Sequence, residues 1–125
     1  MARRILIVED SVVAMLTEKS LMEHLGCVVD GAKTGEEAVV LCGKNTYDLI
    51  LMDIGLPGID GIEATRQIRA DEQAQKRTLV KIVAVTGNAD PMIHKQCMEA
   101  GMQDVNTKPF TLKVAQDMLH TLKAA

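Results

Sequence analysis

Aromatic residues are nearly missing from this chain of 125 residues, which has one Tyr, one Phe and no Trp. Modules that read single-stranded nucleic acid stack bases on aromatic platforms, and such platforms cannot be built here. Positive charge is not in excess either. The formal net charge of −3 offers no basic face for a polyphosphate backbone, so no nucleic-acid partner is expected. No apolar run approaches the roughly 20 residues of a membrane span, and no membrane contact is expected. The four apolar residues 5–8 after Arg3 and Arg4 are too few for a signal peptide and run straight into Glu9 and Asp10. Cysteines are scarce, and Cys27, Cys42 and Cys97 form no CxxC pair. They read as buried reduced thiols of a cytoplasmic protein rather than as a disulfide or metal site. His24, His94 and His120 are equally scattered and read as surface residues.

What remains is aliphatic, so the core must be Val, Ile, Leu, Met and Ala. The length suits one domain over residues 1–125. Four short stretches read as strands, three of them apolar runs and the fourth more polar, each closed by a polar residue. Residues 3–8 end at Glu9 and Asp10; residues 49–52, Leu-Ile-Leu-Met, end at Asp53 and a Pro-Gly turn; residues 80–86 end at Thr86; residues 104–107 end at Lys108 and Pro109. Runs this short fit strands buried on both faces, as in a parallel sheet. A weaker strand is predicted over 27–32.

Helices fill the intervals. One is expected over 11–25, capped by Ser11 or Asp10 and stopped at Gly26, with apolar residues at Val12, Val13, Met15 and Leu16, some of them exposed. Thr34 and Glu37 have the spacing of a capping box, opening a helix to about residue 43 that buries Ala38, Leu41 and Cys42. Further helices are expected over 61–70, over 91–100 with Pro91 in the first turn and Gly101 as C-cap, and over 111–123 with Leu112, Ala115, Leu119 and Leu122 inward. The polar stretch 71–78 reads as a flexible loop. Alternating strands and helices predict an α/β fold, a doubly wound five-stranded parallel sheet in the flavodoxin-like order 2-1-3-4-5 with five helices.

That order brings four strand tips to one edge, with Glu9, Asp10, Asp53, Thr86 and Lys108. Three crowded carboxylates repel and call for a cation. Mg²⁺, which prefers hard oxygen ligands, is the natural one. A lysine and a hydroxyl complete a cradle for a phosphoryl group, with a carboxylate as nucleophile. The bland alternative has Glu9 and Asp10 capping a helix, Lys108 paired with Asp53, and Thr86 opening a turn.

Four motifs, Ile-Val-Glu-Asp over 7–10, the core Asp-Ile-Gly-Leu-Pro-Gly-Ile-Asp-Gly over 53–61, Val-Thr-Gly over 85–87 and Thr-Lys-Pro-Phe over 107–110, together resemble a response-regulator receiver domain of the two-component phosphorelay family. Residues 62–69 and 101–104 are most similar to receivers of hybrid sensor histidine kinases. The resemblance implies that Asp53 accepts a phosphoryl group from a phosphohistidine on a histidine kinase or histidine phosphotransfer domain, with later hydrolysis. It implies Asp10, Asp53 and the Gly55 carbonyl as Mg²⁺ ligands, Glu9 acting largely through water, Thr86 and Lys108 closing on the phosphoryl group, and a cis bond before Pro109. Two positions depart from the family habit. Val105 stands where many receivers carry an aromatic switch residue. Gly55 and Gly87 offer no side chain to shield or orient an attacking water.

The exposed start of the first helix is the expected docking surface for a helical, histidine-bearing partner. Because the sequence stops after the fifth helix, output is expected to pass through another protein or domain. Two rival readings are an aspartyl-nucleophile phosphatase, although Gly55 stands where such enzymes place an acid, and a degenerate receiver that only binds.

Overall fold

The computed structural model describes residues 2–88 and 90–122. Its elements are β1 (Arg4–Val8), α1 (Val12–His24), β2 (Val28–Ala32), α2 (Gly35–Lys44), β3 (Leu49–Met52), α3 (Gly61–Ala74), β4 (Lys81–Thr86), α4 (Pro91–Ala100), β5 (Asp104–Thr107) and α5 (Leu112–His120). All pairings are parallel, in the predicted order β2-β1-β3-β4-β5.

The central strands are apolar on both faces because helices cover both. Side chains alternate along a strand, so Ile5, Ile7, Leu49, Leu51, Val83 and Val85 face Met22 of α1 and Ala115 and Met118 of α5. Leu6, Val8, Ile50, Met52, Ile82 and Ala84 face Ala38, Ala64, Ile68 and Cys97 of α2, α3 and α4. Register puts Val8 beside Met52, Met52 beside Ala84 and Thr86 beside Thr107, so all four strands point to one edge, with β4 and β5 reaching two residues further than β1 and β3. That alignment is what gathers the polar residues after them.

Caps start the helices where the sequence places them. Ser11, Thr34, Asp60, Asp90 and Thr111 each accept an N–H from the first turn. Gly101 closes α4 at φ 113, a left-handed conformation, and a Cβ there would meet the Arg69 side chain. The capping box of α2 is only half formed. Thr34 accepts the Glu37 N–H at 3.1 Å, but Glu37 reaches one residue further back, to the Lys33 N–H at 3.3 Å.

Two expectations fail. The stretch 71–78 is not a loop throughout, since α3 runs on to Ala74. Glu72 lies buried there, bonded through Oε1 to Arg69 and through Oε2 to the Val80 N–H, both at 2.8 Å, and these tertiary partners hold the added turn. In α5, Ala115 and Met118 are buried and Leu119 and Leu122 pack beside them as expected, but Leu112 is exposed at the first turn. Leu41 and Cys42 are half-buried. The cysteines are all free, and the three histidines are exposed. Among the described residues no helix is long and apolar enough to cross a membrane.

Candidate phosphoacceptor site

The C-terminal tips of β1 and β3 carry the acids. Glu9 follows β1 and is 2% exposed, Asp10 is solvent-exposed, and Asp53 after β3 is half-buried. One oxygen from each of the three lies within 4.8 Å of the others. Asp53 is fixed from two sides. Its Oδ1 accepts the Gly55 N–H at 3.1 Å, and its backbone carbonyl lies against Gly61, where a Cβ would sit 2.2 Å away. Glycine at 61 is therefore a packing requirement that lets α3 start directly beneath the strand tip.

Lys108 enters from the end of β5, and its ammonium donates to Glu9 Oε1 at 2.9 Å. It does not pair with Asp53, as the bland alternative would have it. Glu9 Oε2 accepts the Ser11 N–H at 3.2 Å. Burial alone would push the Glu9 carboxyl up, but hydrogen bonds from Lys108, Asp53 and Ser11 outweigh it and hold Glu9 below the ordinary glutamate value. For Asp53 the balance goes the other way. Burial, then its bond to Glu9 and the charge of Glu9, raise it to about 6 despite the Gly55 N–H. Lys108 loses from burial and gains more from Glu9, so its pKa rises. The cluster thus lacks positive charge, and the nucleophile candidate is the acid that bears the deficit.

Thr86 is buried at the tip of β4 and makes a local turn, its hydroxyl donating to the Asn88 carbonyl at 3.0 Å and accepting the Asn88 N–H at 3.1 Å. Lys108 N–H donates to the Thr86 carbonyl at 2.7 Å, and the Lys108–Pro109 bond is cis. All the predicted site residues therefore meet at one edge. Three hard oxygen donors, short of positive charge and open on the Asp10 side, fit a small divalent cation.

Sequence reading missed Asn88 and Glu18. Glu18, on the inner face of α1, is 3% exposed, and burial and then the charge of Glu9 raise it to about 8. Glu18 lies one turn before the buried Met22, on the inward stripe of its helix.

The family described as response regulator receiver domain matches residues 5–120. The chain belongs to that family. It is 38% identical over 118 residues to two-component response regulator 24 of Arabidopsis thaliana, covering 94% of this chain and 81% of that protein. Receivers of sensor kinases are as similar. The receiver domain of sensor histidine kinase PA1611 from Pseudomonas aeruginosa PAO1, solved with a magnesium ion coordinated in its active-site cleft, is 37% identical, with a TM-score of 0.86 and 98% coverage of each chain. The receiver domain of Ssk1, solved with the histidine phosphotransfer protein Ypd1 from Saccharomyces cerevisiae, is 33% identical, with a TM-score of 0.85 over 94% of this chain and 86% of that one. This receiver spans only 5–15% of the length of the sensor kinases it matches.

Proposed function

We propose that residues 1–125 form a phosphoacceptor domain that takes a phosphoryl group from a partner phosphohistidine onto Asp53, in a cytoplasmic phosphorelay. The observation that carries this reading is Asp53 itself, half-buried at a strand tip, short of positive charge, with Glu9 and Asp10 within reach. In the transfer an Asp53 oxygen forms a bond to phosphorus as the phosphorus–nitrogen bond breaks, and the imidazole nitrogen keeps the electron pair. Hydrolysis of the acyl phosphate later returns the carboxylate.

Glu9, Asp10, Asp53 and the Gly55 carbonyl are the groups that would hold Mg²⁺, with Glu9 acting largely through water. The bound ion would neutralise charge on the phosphoryl oxygens. The chain's own residues do the rest. Gly55 N–H fixes one Asp53 oxygen, so the carboxylate presents a constant face. Lys108 leaves or shares Glu9 to meet the added dianion as a point charge. Thr86 breaks its turn with Asn88 so that its hydroxyl reaches a phosphoryl oxygen. Val105, half-buried against the core, has no ring to rotate, so output does not run through an aromatic switch.

The partner's approach is proposed over the start of α1, where Val12, Val13 and Leu16 are 67%, 74% and 59% exposed beside the acid cluster. Such a row suits a helix that carries the phosphohistidine. Met15 is excluded from this face because it packs over Gly31. Glutamates at Val13 and Leu16 should slow transfer from a histidine kinase or phosphotransfer domain and leave labelling by a small donor unchanged. Equal slowing of both would remove the docking role.

The central experiment is incubation with a small acyl-phosphate or phosphoramidate donor and Mg²⁺, read by intact mass. A phosphoryl adduct is expected on wild type and none on Asp53→Asn. No adduct on wild type with a donor or a kinase would leave a binding-only domain, and sustained turnover of phosphate esters would make it a phosphatase.

A further inference from the structure

The loop that carries Gly55, residues 53–61, is closed at its base and leans on a neighbour at its far side. At the base the Gly61 N–H donates to the Ile54 carbonyl at 3.2 Å. Midway, Leu56 is buried in the core, and Ile54 and Ile59 pack against the same cluster. The far side rests on the first turn of α2. Gly35 is buried there, and a Cβ on it would sit 2.7 Å from both the Cγ1 and the carbonyl oxygen of Ile59, and 3.2 Å from the Ala64 Cβ. The Glu36 side chain continues the contact over Gly58, where a Cβ would lie 2.7 Å from Glu36 Oε2.

Glycine is unfavourable within a helix, and Gly35 is not among the glycines of left-handed φ, so no backbone conformation calls for it. What it provides is room. Only without a Cβ can the helix touch the Ile59 backbone. We propose that Gly35 is a positioning residue for the phosphoacceptor loop, letting α2 press on Ile59 and so hold Gly55 where its N–H meets Asp53 Oδ1 at 3.1 Å and its carbonyl faces the acid cluster. The path is short. The base of the loop is closed and the ring of Pro57 fixes its φ, so a push at Ile59 passes through the Pro-Gly turn to Leu56 and Gly55. That the Gly55 carbonyl serves as an Mg²⁺ ligand rests on the phosphoacceptor reading above, whereas the seat of the loop on α2 does not.

The test compares wild type with Gly35→Ala and with Gly43→Ala, each shown to be folded by a metal-free melt. Gly43 lies near the other end of the same helix, and a Cβ there meets nothing within 4 Å. The methyl at position 35 meets a backbone carbonyl, which no rotamer change can clear. In the metal-free protein the Gly55 amide resonance should therefore move in Gly35→Ala and stay in place in Gly43→Ala. A calorimetric titration should show Gly35→Ala binding Mg²⁺ about tenfold more weakly than wild type, and Gly43→Ala within about twofold. Should Gly35→Ala not fold, Ile59→Ala, which withdraws the loop's side chain from Gly35 and leaves α2 intact, should move the same resonance and weaken Mg²⁺ binding by about threefold or more.

An unmoved Gly55 amide in Gly35→Ala, or in Ile59→Ala where that variant stands in, overturns the proposal. So does an unchanged Mg²⁺ affinity, or an equal loss in Gly43→Ala, which would assign the effect to the helix as a whole. Failure of wild type to be labelled by a phosphodonor would count against the phosphoacceptor reading alone, because neither measurement needs phosphoryl transfer.

Discussion

At the N-terminal edge of the sheet the buried Glu72 is satisfied on both oxygens, by Arg69 and by the Val80 N–H, whereas at the C-terminal edge oxygens of Glu9, Asp10 and Asp53 lie within 4.8 Å of one another and Lys108 pairs with Glu9 alone among them. The N-terminal end repeats its solution. Asp30 receives the Tyr47 hydroxyl and Arg4, Arg69 also donates to the Gly101 carbonyl, and Arg77 closes the end of α2 through the Cys42 and Asn45 carbonyls. Arginines there neutralise acids and tie helices to strand starts. At the other end the acids outnumber the cation, and Asp53 is pushed up to about 6 as a result. One sheet therefore has an end whose charges are paired and an end left short of positive charge.

The contrast predicts opposite signs for removing an acid. Glu72→Ala takes away the partner of Arg69 and of a half-buried N–H and should destabilise by about 3 kcal/mol, read by chemical denaturation. A loss under about 1 kcal/mol would mean that the closed end is not held by its ion pair. Asp53→Asn, measured without metal, should instead stabilise by on the order of 2 kcal/mol. The sign follows from the raised pKa. The folded state keeps the Asp53 proton up to about 6, while the unfolded chain loses it near 3.8, so wild type loses stability as pH rises through that window and no more above it. The gain in Asp53→Asn should therefore grow between pH 4 and 6 and stay level from 6 to 8. A gain independent of pH would assign it to packing.

Mg²⁺ should act on the open end alone. At ten times its dissociation constant it should stabilise wild type by about 1.4 kcal/mol, and Asp10→Asn should lose most of that increment while keeping its metal-free stability within about 0.5 kcal/mol. The check is a pair of melts with and without Mg²⁺, with Glu72→Ala as the control that retains the increment. An increment that survives in Asp10→Asn would place the ion elsewhere.

The open end was also the more legible in the sequence. Glu9, Asp10, Asp53 and Thr86 stand where apolar runs stop and Lys108 follows the short fifth strand, and a parallel sheet delivers whatever follows its strands to one edge. The closed end was opaque because its residues lie within or between helices. Residues 71–78 read as a loop by polarity, but Glu72 is a buried partner whose arginine and N–H are identified only by packing. Glu18 was hidden for the same reason, since a glutamate in a helix ordinarily faces water. Leu112 shows the reverse error, an apolar residue assigned inward by spacing that stays exposed because α5 turns Ala115 and Met118 to the sheet. Lys108 was placed correctly, but its choice of Glu9 over Asp53 depends on distances that no pattern carries.

The smallest effect concerns the two glycines beside the nucleophile, which divide along the same line between built-in packing and open space. A Cβ at Gly61 would press within 2.2 Å of the Asp53 carbonyl, while one at Gly55 would meet only Asp53 Oδ1, at 3.9 Å. Gly55 is exposed, and an added methyl there neither strains the backbone nor displaces its N–H from Asp53. Gly55→Ala should therefore change stability by less than about 0.5 kcal/mol and leave Mg²⁺ affinity as it is. What it narrows is the approach to Asp53 from solvent, the path of a water that hydrolyses an acyl phosphate. The adduct should then last longer by no more than about threefold, a difference of about 0.7 kcal/mol in the barrier, read by mass after donor removal. A shorter lifetime would mean that the space over Gly55 does not admit the attacking water, and the timing of dephosphorylation would have to be sought at Gly87 and Asn88 beside Thr86.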